Sequence, residues 1–308
     1  MTTLDLVVRS AERVAEGVVA LTLSRPDGAD LPEWTAGAHI DLVLDDDLVR
    51  QYSLCGRQDE PASWRVAVLE APDSRGGSKR VHQLRAGHTV RARGPRNHFP
   101  VVPATRYLFL GGGIGITPLL AMIREVAGTE WELYYGGRQR ESMAFVAELA
   151  GYGERVHVVP EDENGLLDLG TILGTPQPGT LVYACGPEPM LRAVEEKCAA
   201  WPPGSLHLER FSAAPSSEDG HSFEIVLEES GQTLVVPPGK SIFETVRAAG
   251  VSVLGSCLEG ICGTCETEVL DGEIDHRDSV LDGDERAAGE VMMICVSRCA
   301  GKRLRLAL

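Results

Sequence analysis

The sequence predicts three consecutive units: an antiparallel β-barrel or sandwich, an α/β unit on a mainly parallel sheet, and a small α+β domain. Three observations carry that reading. Short alternating runs broken by Gly, Pro and Asp fill the region up to residue 104. From about Tyr107, apolar strands alternate with helical patterns. Near the C-terminus, cysteines stand at 257, 262, 265 and 295, a spacing that small packed cores do not require.

In the first unit the runs Leu4–Val8, Val18–Leu23, His39–Leu44 and Trp64–Leu69 alternate with turn residues, as half-buried antiparallel strands do. In the second, Tyr107–Leu110, Glu132–Tyr135, Val156–Val159 and Leu181–Cys185 are continuous apolar strands separated by helices, which predicts a parallel sheet. The string SAAPSSEDG at 212–220 has the composition of a flexible linker. The last stretch opens on a hairpin, Phe223–Leu227 and Thr233–Val236 around Ser230-Gly231. Ser241 with Glu244 three residues on is a capping box, and Gly250 is placed to end the helix they start. Two strands, a helix and then the cysteine loop fit a β-grasp ferredoxin.

The cysteine spacing is C-x4-C-x2-C with a distant fourth member, the plant-type arrangement for a [2Fe–2S] cluster. Three thiolates on one tight loop, GSCLEGICGTC, wrap such a cluster and a fourth closes it. Gly255, Gly260 and Gly263 let that loop bend and point N–H groups at sulfur. Zinc ribbons want two C-x2-C knuckles, and only Cys262–Cys265 has that form. The intervals favour Cys295 as the fourth ligand, with Cys299 its rival; Cys55, Cys185 and Cys198 are not expected to bind metal.

Composition narrows the class. A hydrophobic content of 43% over 308 residues suffices for several cores, and the net charge of −16 argues against nucleic acid or an anionic membrane surface as partner. No apolar run reaches the ~20 residues that span a bilayer, and the cysteines suit a reducing compartment, so a cytoplasmic protein is expected. Residues 221–308 hold eight Lys/Arg against fifteen Asp/Glu, a local charge of −7 suited to a basic redox partner.

Four further motifs carry chemistry. GGGIGITP at 111–118 follows an apolar strand and leads into a helix from about Ile116 to Ala127. Its glycines admit a phosphate to the backbone, and the helix start offers free N–H groups. Thr117 can add a hydroxyl, and Pro118 suits the first turn. CGPEPM at 185–190 again joins a strand to a helix, at the end of the sheet where α/β folds bind ligands. RQYS at 50–53 offers charge, a ring face and a hydroxyl; GGSK at 76–79 has the look of a phosphate nest. GGRQR at 136–140 sets Arg138 and Arg140 where a 2′-phosphate would lie.

In this order, together with HLERF at 207–211, these motifs resemble the phthalate dioxygenase reductase family, and within it the vanillate O-demethylase oxidoreductases. The resemblance spans essentially the whole chain. It implies an FMN-binding β-barrel over 1–104, an NAD(P)-binding α/β domain over 105–212, a linker at 213–220 and a plant-type ferredoxin over 221–308. It implies that Arg50 binds the flavin phosphate, that Gln51, Tyr52 and Ser53 lie along the flavin, and that Gly77 and Ser78 complete the phosphate site. Phe211 would lie near the flavin. Gly113, Thr117, Pro118 and Arg138 would line the nucleotide path, and Cys185, Gly186 and Pro187 would approach the nicotinamide. Cys257, Cys262, Cys265 and Cys295 would hold the cluster. FMN is the implied flavin, with FAD the alternative; NADH is the implied donor, with NADPH the alternative.

The resemblance further implies no catalytic triad, because cofactors carry the electrons. NAD(P)H gives a pair and the cluster takes one at a time, so a flavin must stand between them. The expected partner is a terminal oxygenase, a Rieske-type aromatic oxygenase or demethylase. The competing readings are a cytochrome P450 partner and a redox-sensing protein.

Overall fold

The computed structural model describes residues 3–45, 48–72, 76–211, 221–281 and 283–308. Two compact units emerge, residues 1–209 and 210–308.

The first unit begins with six antiparallel strands, β1 (Thr3–Ala15), β2 (Val18–Ser24), β3 (His39–Asp45), β4 (Leu48–Ser53), β5 (Trp64–Leu69) and β6 (Thr89–Arg96), in the order β4-β3-β6-β1-β2-β5. A bridge between Leu54 and Val66, reinforced by the Cys55 N–H donating to the Arg65 carbonyl at 2.8 Å, joins the two edges into a barrel. Alternation explains its interior: Leu6, Val8, Leu21, Leu23, Ile40, Leu42, Trp64 and Val66 point inward and are buried. The short helix α1 (Gly77–His82) starts at Gly76, whose φ of 94° suits glycine.

The remainder of this unit is a five-stranded parallel sheet: β7 (Arg106–Gly112), β8 (Glu130–Gly137), β9 (Val156–Pro160), β10 (Thr180–Cys185) and β11 (Leu206–Glu209), ordered β11-β10-β7-β8-β9. Helices α2 (Ile116–Glu125), α3 (Val146–Leu149), α4 (Glu161–Asn164), α5 (Leu169–Leu173) and α6 (Glu188–Cys198) connect the strands. Leu108, Leu110 and Val182 on one sheet face pack against Leu173, Leu191 and Val194. The other face, with Phe109, Trp131 and Leu133, forms one core with α2 and with Val18, Ala20 and Cys55 of the barrel. Barrel and sheet are therefore parts of a single packed body. The helix α2 stops two residues short of the expected Ala127, because the chain turns at Val126–Thr129, closed by the Thr129 N–H on the Val126 carbonyl at 2.9 Å.

The second unit has β12 (Phe223–Leu227), β13 (Gln232–Val236), α7 (Ile242–Ala248), β14 (Glu266–Asp271), β15 (Ile274–Asp275), α8 (Gly283–Ala288), β16 (Val291–Met293), β17 (Arg298–Cys299) and β18 (Arg303–Leu306). The main sheet runs β13-β12-β18-β14-β16, with β12 and β18 parallel and the other neighbours antiparallel. The capping box forms as expected: the Glu244 N–H donates to Ser241 Oγ at 3.1 Å and the Ser241 N–H to Glu244 Oε2 at 2.9 Å. Such a cap is worth about 1 kcal/mol. Gly250, at φ 84°, follows the helix end. The linker expected at 213–220 lies outside the described residues. Among the described residues no helix is long and apolar enough to cross a membrane.

Candidate functional site

The strand order places a switch point between β7 and β10, since the chain leaves β7 in one direction and returns to β10 on its other side. Ligands bind α/β sheets at the carboxyl ends of such strands. There the two glycine-bearing turns touch. A Cβ on Gly115 would sit 2.2 Å from the Cys185 carbonyl oxygen, and one on Gly112 would sit 2.6 Å from Pro187 Cδ. Only glycine permits that approach. Gly113 differs: its φ is 55° and, among the described residues, nothing lies within 4 Å of a Cβ there, so its backbone borders open space.

Not every expected nucleotide residue faces that space. Thr117 is buried and its hydroxyl donates to the Ile114 carbonyl at 3.0 Å, while Pro118 is buried in the first turn of α2. Both shape the helix start. Arg138 is exposed just beyond β8; Arg140 is held in a two-bond ion pair with Glu163, at 2.9 and 2.6 Å.

On the barrel, Arg50, Gln51, Tyr52 and Ser53 end β4. The Arg50 side chain lies against Gly77, where a Cβ would meet its Cγ at 2.5 Å, so RQYS and GGS come together. Arg50 Nη1 donates to the Val49 carbonyl at 2.8 Å, and Ser78 Oγ accepts from the Ala71 N–H at 3.1 Å. Gln51 donates to Asp41 Oδ1 at 3.0 Å, and Asp41, fully buried, is gripped by Arg96 at 2.6 and 3.1 Å. Burial pushes the Tyr52 phenol above its ordinary range.

One residue of this region escaped the sequence reading. Glu209 ends β11 opposite Cys185, and the Ser53 hydroxyl faces its carboxyl. Its Oε2 is enclosed without a hydrogen-bond partner among the described residues, and burial pushes the carboxyl up to about 8. Burial, with the Glu209 charge adding to it, also holds the Cys185 thiol well above its ordinary value, so it stays protonated. Ser53, Cys185 and Glu209 thus bring the barrel motif to the switch point. The available signal was a carboxylate closing the strand LHLE in the HLERF motif. Phe211, two residues on, is 39% exposed and belongs to the second unit.

In the second unit the four cysteines converge. The Cys295 thiol lies within hydrogen-bond reach of Cys257 and Cys265, and Cys257 also of Cys262; all four are buried. These neighbours, with the Gly260 and Ile261 N–H groups, hold Cys257 well below the ordinary thiol value. The Glu259 N–H points at Cys257 Sγ at 3.2 Å and the Thr264 N–H at Cys262 Sγ at 3.5 Å. Gly260 and Gly263 have φ of 68° and 70°. Cys299 stands apart on β17, opposite Ile274. Among the described residues no three side chains close on a single metal ion, whereas a [2Fe–2S] cluster spreads four thiolates over two irons. A buried set of four thiols with inward N–H groups fits such a cluster.

Residues 225–300 match the 2Fe-2S iron-sulfur cluster binding domain, and 109–196 the oxidoreductase NAD-binding domain. Phthalate dioxygenase reductase, described as a modular structure for electron transfer from pyridine nucleotides to [2Fe-2S], superposes with a TM-score of 0.74 at 34% identity, covering 99% of this chain and 98% of that one. The chain belongs to the phthalate dioxygenase reductase family. Like that family it is an NAD(P)H-dependent electron-transfer oxidoreductase with FMN and a [2Fe–2S] cluster. Phenoxybenzoate dioxygenase subunit beta of Ectopseudomonas oleovorans is 42% identical over 98% of this chain and 96% of its own length. Vanillate O-demethylase oxidoreductase of Pseudomonas sp. strain HR199 is 39% identical over 99% and 100%. An intact type IV self-sufficient cytochrome P450 monooxygenase matches with a TM-score of 0.93 at 46% identity; this phthalate dioxygenase reductase homologue covers 41% of that longer chain.

Proposed function

We propose that this chain is the reductase component of a two-component oxygenase system, passing electrons from NADH to a Rieske-type aromatic oxygenase or demethylase in the cytoplasm. The observation that carries the reading is the meeting of Ser53 from the barrel with Cys185 and Glu209 at the switch point. It gives a flavin shelf and a nicotinamide path one common junction. The partner class rests on relatives named as reductase subunits of a toluene-4-sulfonate monooxygenase system, 98% of whose length this chain covers. The domain limits that go with it are 1–104, 105–212, a linker at 213–220, and 221–308.

Arg50, backed by Gly77 and Ser78, holds the flavin phosphate, and Tyr52 and Ser53 line the ring. FMN supplies the conversion of a two-electron donor to a one-electron acceptor. Gly113 lets the nucleotide backbone pass, Gly186 and Pro187 shape the nicotinamide end, and Arg138 stands at the ribose. The protonated Cys185 thiol and the neutral Glu209 carboxyl keep that junction free of charge at neutral pH. Cys257, Cys262, Cys265 and Cys295 hold the cluster.

The test is an anaerobic NADH titration followed by visible absorption and low-temperature EPR, with the released flavin identified. Bleaching of one FMN with a reduced [2Fe–2S] signal supports the reading. A cluster that stays oxidised beside a reduced flavin overturns it. A P450 partner is the second reading, favoured by the 46% identity to part of a P450 monooxygenase. Turnover with isolated Rieske and P450 components would separate the two.

A further inference from the structure

The segment His276-Arg277-Asp278-Ser279, between β15 and α8, has no part in the electron path described so far. Asp278 is nevertheless a charged residue whose side chain is wholly withdrawn from solvent. Its Oδ2 accepts from the Val280 N–H at 3.1 Å and the Leu281 N–H at 2.9 Å. Its Oδ1 accepts from the Ser297 hydroxyl at 3.2 Å, and Ser297 Oγ in turn accepts from the Arg277 N–H at 3.1 Å. Ser297 lies two residues beyond Cys295.

The same segment grips the other cysteine loop. The Ser279 N–H donates to the Gly260 carbonyl at 2.8 Å, and Gly260 lies between Cys257 and Cys262. A Cβ on Gly260 would stand 3.1 Å from Asp278 Cα and 2.4 Å from Val296 Cγ2. The segment bearing this buried carboxylate is therefore bonded to both stretches that carry the thiols, through the carboxylate to Ser297 and through the Ser279 N–H to Gly260. A guanidinium lies near the carboxylate, that of Arg286, 3.9 Å from Oδ2, and Arg286 also donates to the Asp278 carbonyl at 2.6 Å; the His276 ring stands 3.7 Å from Oδ1.

We infer that Asp278 is a positioning residue: it ties the Cys257–Cys265 loop to the Cys295 segment and places a fixed negative charge beside the cluster, lowering its reduction potential. The inference rests on the cysteine ligands proposed above. Reduction adds an electron to the cluster, and a neighbouring anion in a low-dielectric surround disfavours it. The hydrogen bonds and the charge are separable. Asp278→Asn keeps an acceptor and the side-chain volume and removes the charge. Asp278→Ala removes both.

The experiment measures iron and sulfide per chain and a redox titration by EPR on the full-length holoprotein. Asp278→Asn is expected to keep its cluster and, at the wild-type midpoint, to be about tenfold more reduced, a shift of about +59 mV for one electron. Asp278→Ala is expected to lose cluster content severalfold. Arg286→Gln, which leaves the carboxylate in place and removes a cation, is expected to move the midpoint the opposite way, by about threefold in the reduced-to-oxidised ratio. An Asp278→Asn protein with a full cluster at the wild-type midpoint overturns the charge role, and an Asp278→Ala protein with undiminished cluster overturns the tie. If Asp278→Asn fails to assemble, Arg286→Gln decides: an opposite shift sustains the charge role and an unmoved midpoint ends it. A wild-type chain without a [2Fe–2S] signal would remove the ligand reading itself, an outcome distinct from an unmoved variant.

Discussion

Replacing Glu209 with Gln isolates the protonation of one buried carboxyl. Its folded pKa is about 8 against an ordinary 4.5, because burial penalises the anion and the Ser53 hydroxyl offsets only part of that penalty. Between those values the folded chain holds a proton that the unfolded chain has released. Stability therefore falls as pH rises through the window, by up to about 1.4 kcal/mol per unit. From pH 5 to 8 the loss is on the order of 3 kcal/mol, and it is absent in Glu209→Gln, which is neutral throughout. Urea denaturation of the flavin-bearing unit at pH 5, 6.5 and 8 measures it. Wild type and variant should agree at pH 5, with wild type progressively weaker above. Stopped-flow flavin reduction by NADH should show an inflection near pH 8 in wild type and none in the variant. Parallel stability curves over the whole range would refute the claim that Glu209 is folded as a neutral acid.

Cys295→Ser should abolish or alter the cluster's visible and EPR signals while flavin reduction persists, and Cys299→Ser should leave both intact; the reverse pattern would make Cys299 the ligand. Arg50→Ala removes a charged contact worth about 1.5–3 kcal/mol, so flavin affinity should fall at least tenfold with cluster content unchanged. Equal loss of both cofactors would mean a folding defect. Gly115→Ala drives a methyl into the Cys185 carbonyl at 2.2 Å, a backbone clash costing about 1–3 kcal/mol; NADH affinity should drop in flavin-reduction kinetics, and unchanged affinity would detach the switch point from nucleotide binding. Arg138→Ala should weaken NADPH binding severalfold more than NADH binding, and equal effects would show that Arg138 does not read the 2′-phosphate.

How much of this was legible in the sequence depends on how local each cause is. The cysteine loop could be read directly, because three ligands and their glycines lie within eleven consecutive residues. The capping box Ser241–Glu244 and the strand alternation are local in the same sense, and both formed where expected. Glu209 was visible as the carboxylate of HLERF, but its significance depends on Ser53, which arrives from β4 of the barrel. Arg138 and Arg140 looked equivalent until folding brought Glu163 to Arg140. Thr117 was correctly placed at a helix start, but its burial follows from the packing of α2 between sheet and barrel, which no spacing of residues reports. The same limit explains Gly112 and Gly115, whose need for glycine comes from a turn some seventy residues away.

The position of β18 bears on how the protein comes into being. It is the last strand of the sequence, yet it sits in the middle of the second unit's sheet, between β12 and β14. Until residues 303–306 have left the ribosome, β12 and β14 have no partner between them, and Leu304 and Leu306 are missing from the core beside Cys265 and Cys295. The first unit draws every strand from residues 3–209 and can close much earlier in synthesis. Domains emerging from the ribosome fold in order, and contacts between distant segments form late. The first unit can thus close while the core beside Cys265 and Cys295 still lacks two of its leucines.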